Sequence, residues 1–165
     1  MHRQSLKLMQ GFLKTLDKSQ ELKILDVGSL QVRPEDKTYR DLTISDKWHY
    51  VGLDVVKGLN VDIVADDPYE YPFEDNTFDV VISGQTLEHV ELIWVWIKEL
   101  YRILKNSGII YIVAPSQGPI HYDVDYWRIQ PDGMKTLLRY ANFRDIQVGV
   151  CKDGKWKDCW GRAVK

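Results

Sequence analysis

Apolar runs in this chain end, one after another, in residues able to hold a ligand. Lys23-Ile24-Leu25 leads into Asp26-Val27-Gly28-Ser29. Tyr50-Val51-Gly52-Leu53 ends in Asp54, and Val61-Asp62-Ile63-Val64 is followed by Asp66 and Asp67. Phe78 to Ser83 is followed by Gly84 and Gln85. A carboxylate at the end of a strand can accept hydrogen bonds from both hydroxyls of a ribose, which suits Asp54. Asp67 can accept from an adenine amino group, and Gly28 lets backbone approach a ligand closely. Each acid taken singly also reads as a cap or turn residue. Their joint placement on successive strand ends points to a nucleoside-type cofactor. The G-x-G-x-x-G that cradles a pyrophosphate is absent, since Gly28 is followed by Ser29-Leu30-Gln31-Val32-Arg33. A second concentration of reactive side chains lies between Pro115 and Arg128: His121, Tyr122, Asp123, Asp125, Tyr126, Trp127 and Arg128.

The elements that must position these residues follow from periodicity. Leu6, Met9, Phe12, Leu13 and Leu16 recur at helical spacing and predict an amphipathic helix. The runs at 23–28, 50–54, 61–64 and 78–83 read as buried strands. Residues 29–47 are polar, contain Pro34, and read as a loop with one short helix. Only six residues, 55–60, separate the second and third strands, too few for a crossover helix. A helix is expected from Glu91 to Leu104, ended by Lys105-Asn106-Ser107-Gly108. Trp94 and Trp96 are two apart and cannot share its face, so at least one covers a neighbouring element or a partner. A fifth strand runs from Ile109 to Ala114. Pro131 suits the first position of a helix reaching Tyr140. Ile146–Val150 and Trp156–Val164, around Asp153-Gly154, read as a hairpin. Alternating strands and helices imply an α/β fold: a mostly parallel, Rossmann-like sheet with helices on both faces and a C-terminal antiparallel hairpin.

Composition sets the outer bounds. At 165 residues, a single domain spanning 1–165 is expected. Hydrophobic residues make up 44% and charged residues 28%, which excludes a disordered chain. A net charge of −2 gives no basic footprint for nucleic acid. Cys151 and Cys159 make no disulfide framework, and no metal-ligating set is read. No apolar run approaches the roughly 20 residues of a membrane span. The start does not read as a signal peptide, so a cytoplasmic protein is expected.

With these elements set out, the chain resembles the class I methyltransferases that use S-adenosylmethionine (SAM), in their small "methyltransferase type 11" form. The resemblance rests on Ile24-Leu25-Asp26-Val27-Gly28, Tyr50-Val51-Gly52-Leu53-Asp54, Tyr71-Pro72-Phe73-Glu74-Asp75-Asn76-Thr77-Phe78-Asp79-Val80-Val81, Leu87-Glu88-His89-Val90 and Arg102-Ile103-Leu104-Lys105-Asn106-Ser107-Gly108. These stretches occur in the family's order and spacing over about residues 22–115. The resemblance implies a seven-stranded sheet and SAM as cofactor. It implies that Gly28, with Asp26 beneath and Ser29 beside it, packs against the methionine part. Asp54, with Val55 after it, takes the ribose. Asp67, or its rival Asp66, takes the adenine amino group, and Gln85 lines the sulfonium end. The family's first motif carries two or three glycines where this chain has one.

Methyl transfer to a hydroxyl needs an aligned acceptor and a base. The segment after the fifth strand stands beside the expected methyl site. His121 is the candidate base, and Tyr122, Tyr126, Trp127 and Arg128 the candidate acceptor-pocket residues. His121 also reads as a surface loop residue and Trp127 as a packing plug. His89 is a rival base. Gly118-Pro119-Ile120-His121, then Asp125-Tyr126-Trp127-Arg128 and Pro131-Asp132-Gly133, is similar to a subgroup associated with glycan biosynthesis. That similarity implies O-methylation of a sugar or other small polar acceptor. An open acceptor site could be completed by a second copy in a homodimer. The competing expectations are a non-catalytic module of the same fold, an NAD(P)-dependent oxidoreductase, which the missing glycines disfavour, and RNA methylation, which the charge disfavours.

Overall fold

In the computed structural model, which describes residues 3–121, 124–154 and 156–165, the apolar runs become strands of one seven-stranded sheet. Five strands are parallel: β1 (Leu22–Val27), β2 (Trp48–Asp54), β3 (Ile63–Val64), β4 (Phe78–Gly84) and β5 (Leu104–Pro115). The last two, β6 (Arg144–Val150) and β7 (Asp158–Val164), form an antiparallel pair, and β7 also pairs antiparallel with β5. The order across the sheet is β3-β2-β1-β4-β5-β7-β6. Three α-helices accompany it: α1 (Arg3–Leu13), α2 (Ile93–Ile103) and α3 (Pro131–Tyr140).

Successive strand side chains point to opposite faces, so a strand covered on both sides needs apolar residues throughout. Ile24, Val80, Ile82, Tyr111 and Val113 point to the face closed by Met9, Phe12 and Leu13 of α1. Phe12 stacks on Tyr111 with ring centroids 4.4 Å apart. Leu25, Val81, Ile110 and Ile112 point to the other face, under Trp96, Ile97 and Leu100 of α2 and Met134 and Leu138 of α3. The two tryptophans of α2 diverge as their spacing requires. Trp96 is buried and its Nε1 donates to Tyr71 Oη at 2.9 Å. Trp94 is 43% exposed and meets the edge of Trp127.

Three boundaries differ from the sequence reading. The third strand shortens to two residues. Asp62, which was expected inside it, instead accepts the Gly52 N–H on its carboxylate at 2.7 Å, so a side chain replaces part of the ladder. Helix α2 stops at Ile103, and Leu104 already pairs with Phe78. The segment Lys105–Gly108 therefore lies inside β5, where the register shifts and Ser107 takes a φ of 65°. Lys105 Nζ is held there by the Asp79 carboxylate at 2.8 Å. The hairpin is also wider than a two-residue turn. Pairing ends at Val150 with Cys159, closed by Cys151 N–H donating to Asp158 O at 2.8 Å. Cys151 and Cys159 are unlinked. Among the described residues no helix is long and apolar enough to cross a membrane.

Candidate active site

In an open α/β sheet the ligand crevice lies beyond the carboxyl ends of the strands, where the strand order reverses. Here the reversal falls between β1 and β4. A cavity of about 800 Å³ opens there. Its first wall comes from Gly28 and Leu30 after β1, Asp54 and Val55 at the end of β2, and Ala65 after β3. Gly84, Gln85 and Thr86 form its floor at the end of β4. His89, His121, Tyr126 and Trp156 line it as well, with the His121 ring 5.2 Å from that of His89 and 4.9 Å from that of Trp156.

Gly28 leaves the strand with a φ of +81°, and a Cβ there would fall 1.9 Å from Thr86 Oγ1. Only glycine suits that backbone, and the contact is with the protein itself. Asp54 uses both carboxylate oxygens to hold the wall: Oδ2 accepts Leu30 N–H at 3.0 Å and Oδ1 accepts Val56 N–H at 3.1 Å. A carboxylate offers about four lone-pair directions, so two remain for a diol. Gln85 sits at a φ of 61°, a left-handed conformation uncommon for a residue with a side chain. Its N–H donates to Val113 O at 2.9 Å, which ties the floor to β5.

Beside His121, the Asp125 carboxylate gathers the loop. It accepts from Arg128 through both terminal nitrogens, from His121 N–H at 2.9 Å, and from His121 Nδ1 at 3.0 Å. The Arg128 guanidinium, followed by desolvation acting the other way and by the His121 contacts, leaves the Asp125 carboxyl well below the usual carboxylate range. An ionised Asp125 beside Nδ1 orients the His121 ring. His89 is oriented in the same manner, with Nδ1 donating to Val124 O at 2.5 Å. The two imidazole rings lie 5.2 Å apart. Between their chain segments, Glu88 is buried, and desolvation pushes its carboxyl up to about 8.

Residues 27–112, just over half of the chain, match the family described as "Methyltransferase domain". The chain belongs to this methyltransferase family. It is similar to a demethylmenaquinone methyltransferase of Staphylococcus aureus (strain JH9), with 43% identity over 58 residues. That stretch is 35% of this chain and only 24% of the relative. The fold is shared with a SAM-dependent methyltransferase of Archaeoglobus fulgidus (TM-score 0.71, 19% identity, 98% of this chain and 95% of that one). It is shared also with the 1,6-didemethyltoxoflavin-N1-methyltransferase of Burkholderia thailandensis (TM-score 0.76, 15% identity, 98% and 78% covered). That structure contains 1,6-didemethyltoxoflavin and S-adenosylhomocysteine.

The residues present suit SAM, the cofactor expected from the sequence. The Gly28 turn brings backbone to the cavity wall, and Asp54 faces the cavity with acceptor capacity in hand. Not every expected residue reaches the wall. Asp26 is buried beneath Gly28 and accepts a hydrogen bond from Tyr50 Oη. Ser29 Oγ donates to Asn60 O at 3.1 Å, bracing β1 to the loop before β3. Asp66 and Asp67 flank the lining rather than form it; Asp67 Oδ1 accepts Tyr69 N–H at 2.7 Å in a tight turn.

The acceptor residues divide as well. His121 and Tyr126 line the cavity. Trp127 anchors the loop instead, donating Nε1 to Val90 O at 2.7 Å. Arg128 is spent on Asp125 and on Pro119 O, 2.7 Å away. Tyr122 lies outside the described residues. Thr86 and Trp156 are among the lining residues that the sequence did not point to. Thr86 gave no signal because its role is contact with Gly28, 58 positions away. Trp156 was expected in the hairpin. The wider connection instead sets its ring 4.9 Å from His121 and against Gly118, whose added Cβ would fall 2.2 Å from it.

Asp26 carries a pH signature. Burial pushes its carboxyl up to about 7, against a lowering hydrogen bond from Tyr50. The folded chain therefore keeps a proton that the unfolded chain sheds above about pH 4. The associated stability is complete below that pH and is lost as pH rises through 7. Asp26→Asn, which still accepts from Tyr50, is expected to remove this slope. Urea midpoints from pH 4 to 8 should show the variant overtaking the parent toward neutrality, by at most roughly 4 kcal/mol. Parallel curves for the two proteins would show Asp26 ionised in the fold.

Proposed function

We propose that this methyltransferase carries the methyl group of SAM onto a hydroxyl of a sugar or other small polar acceptor, within one domain formed by residues 1–165. The observation that carries the reading is one cavity lined both by a ribose-suited carboxylate, Asp54, and by His121, which Asp125 holds from behind. When bound, SAM supplies an electrophilic methyl on a sulfonium, open to in-line displacement. Asp54 holds the ribose, with Val55 against the nucleoside. Gly28 admits the methionine portion, with Asp26 and Ser29 bracing the turn from behind, and Asp67 or Asp66 caps the adenine edge. Gln85 lines the floor beneath the methyl. His121, oriented by Asp125, takes the acceptor's proton on Nε2. Tyr126 and Trp156 offer flat faces that suit a sugar ring, and Tyr122 belongs to the same loop. Trp127 and Arg128 hold that loop in shape.

A dinucleotide fits less well, because no α-helix follows β1 among the described residues to meet a pyrophosphate with its N-terminus. Ile120 is 82% exposed beside the acceptor end, and Val124 and Tyr126 are also exposed. A second copy covering them would complete the site as a homodimer. The unlinked cysteines suit a cytoplasmic setting.

Asp54→Ala is expected to weaken S-adenosylhomocysteine binding by about 10–100-fold, for the loss of two hydrogen bonds to a half-buried charged acceptor. Calorimetry on both proteins measures this; equal affinities would remove Asp54 from the site. Incubation with methyl-labelled SAM and a panel of glycosides and nucleotide sugars tests the acceptor class. Label on a hydroxyl supports the reading. Label on an amine, or cofactor binding with no transfer to any acceptor, overturns it.

A further inference from the structure

Glu88, His89 and His121 each offer one ligand atom, and these atoms lie within 4.8 Å of one another. Glu88 sits in a single turn of 3-10 helix, Leu87–His89, directly after the cavity floor. Its side chain is fully buried, and neither carboxylate oxygen has a hydrogen-bond partner. A buried carboxylate without a partner is costly unless it meets a cation or keeps a proton. Arg128 is the nearby fixed cation; its terminal nitrogens are committed to Asp125, Trp127 O and Pro119 O, and its buried Nε, which makes no hydrogen bond, does not donate to Glu88. The other charged groups facing Glu88 are the carboxylates of Asp125 and Asp158. The surroundings thus hold more negative than positive charge.

Both imidazoles are oriented from behind. His89 Nδ1 donates to Val124 O and His121 Nδ1 to Asp125 Oδ2. Ligating histidines carry this kind of outer hydrogen bond, which fixes the tautomer and aims Nε2 at the ion. His89 Nε2 is 3.9 Å from Glu88 Oε1. Ligand atoms around a tetrahedral ion stand about 3.4 Å apart, given bonds of roughly 2.0–2.2 Å. The three atoms, which lie within 4.8 Å of one another, must draw closer for an ion to bind.

We propose that Glu88, His89 and His121 bind one divalent transition-metal ion at the acceptor end of the cavity. Two nitrogens and one carboxylate favour zinc, cobalt or nickel over magnesium or calcium, which take oxygen sets. Three protein ligands leave a coordination position open toward the cavity. The consequence for catalysis rests on the reading given above for the acceptor end. The ion and the acceptor's proton compete for the same His121 nitrogen. Ion-free, His121 accepts the proton. Ion-loaded, it is a ligand, and the ion's charge acidifies a hydroxyl placed in the open position.

The test needs neither acceptor nor SAM. The purified full chain is stripped with EDTA, dialysed, and titrated with zinc in a calorimeter and with cobalt in a spectrophotometer. One ion per chain is expected, with cobalt showing visible bands of a four- or five-coordinate nitrogen–oxygen site. Glu88→Gln and His89→Ala should each weaken zinc at least tenfold while retaining a cooperative melt. Binding below one ion per chain, an octahedral cobalt spectrum, or unchanged affinity in both folded variants overturns the site. If Glu88→Gln does not fold, the parent's cobalt spectrum and His89→Ala still decide. S-Adenosylhomocysteine calorimetry on the stripped parent reports separately on the cofactor reading. Failure of the ion site therefore leaves that reading standing, and failure of cofactor binding leaves the ion site standing.

Discussion

His121→Ala is expected to lower kcat by about 10²–10⁴-fold while S-adenosylhomocysteine still binds with near-parental affinity. The ring lines the cavity but makes no hydrogen bond to Gly28 or Asp54; its partner is Asp125. Its removal leaves the cofactor's contacts in place. The Asp125 carboxylate keeps Arg128, so the loop retains its main anchor. The measurement is steady-state methyl transfer to a responding acceptor, with calorimetry on the same preparation. A variant within threefold of the parent would remove His121 from the reaction. Loss of cofactor affinity in parallel would reassign it to holding the cavity's shape. Asp125→Asn is a less direct probe, because it strands Arg128 as well as releasing His121.

Gly28→Ala should be the most damaging single change at the cofactor end. Two penalties coincide. The residue sits at a φ of +81°, where a Cβ costs about 1–2 kcal/mol. That Cβ would also lie 1.9 Å from Thr86 Oγ1 and 2.8 Å from Thr86 Cβ. Rotating the threonine cannot clear the second contact, so backbone must move, at about 1–3 kcal/mol more. For a chain of this size the sum corresponds to a fall in Tm of roughly 5–15 °C. The stabilisation that S-adenosylhomocysteine gives the parent should disappear with it. Thermal melts with and without that ligand measure both effects. Thr86→Gly in the Gly28→Ala background should restore part of the Tm by removing the threonine side chain, though not the backbone strain. An unchanged melt for Gly28→Ala would show that the turn adjusts freely.

The Gly28 case also accounts for a feature of the sequence. One glycine stands where the family carries two or three. The structure gives this one a reason independent of any ligand: β1 and the segment after β4 approach too closely for a side chain. No second glycine is needed in the stretch that follows, because that stretch is a loop held by Leu30 N–H on Asp54 and by Gln31 N–H on Leu59 O. No helix has to begin there. The polarity of residues 29–47 announced that loop correctly, and it contains only the short 3-10 helix Arg40–Leu42.

Local pattern was enough for the layers of the fold. Continuous apolar runs at β1, β4 and β5 can be satisfied only by cover on both faces, and helical spacing in α1, α2 and α3 supplies that cover. It was enough, too, to bring Asp54, Gln85 and His121 to one crevice, because residues that end parallel strands share one edge of the sheet. The tertiary structure decided what each side chain does once there, since that depends on partners remote in the chain. Asp26 turns inward to Tyr50, Arg128 is consumed by Asp125, and Trp127 by Val90 O. Thr86 and Trp156 enter the cavity through contacts with Gly28 and Gly118 that no local pattern encodes. Glu88 read as one letter of a family motif, and only burial without a hydrogen-bond partner, between two oriented imidazoles, makes it a candidate ligand. Spacing fixes direction along a strand or helix, whereas desolvation and partner choice are set by the whole folded chain.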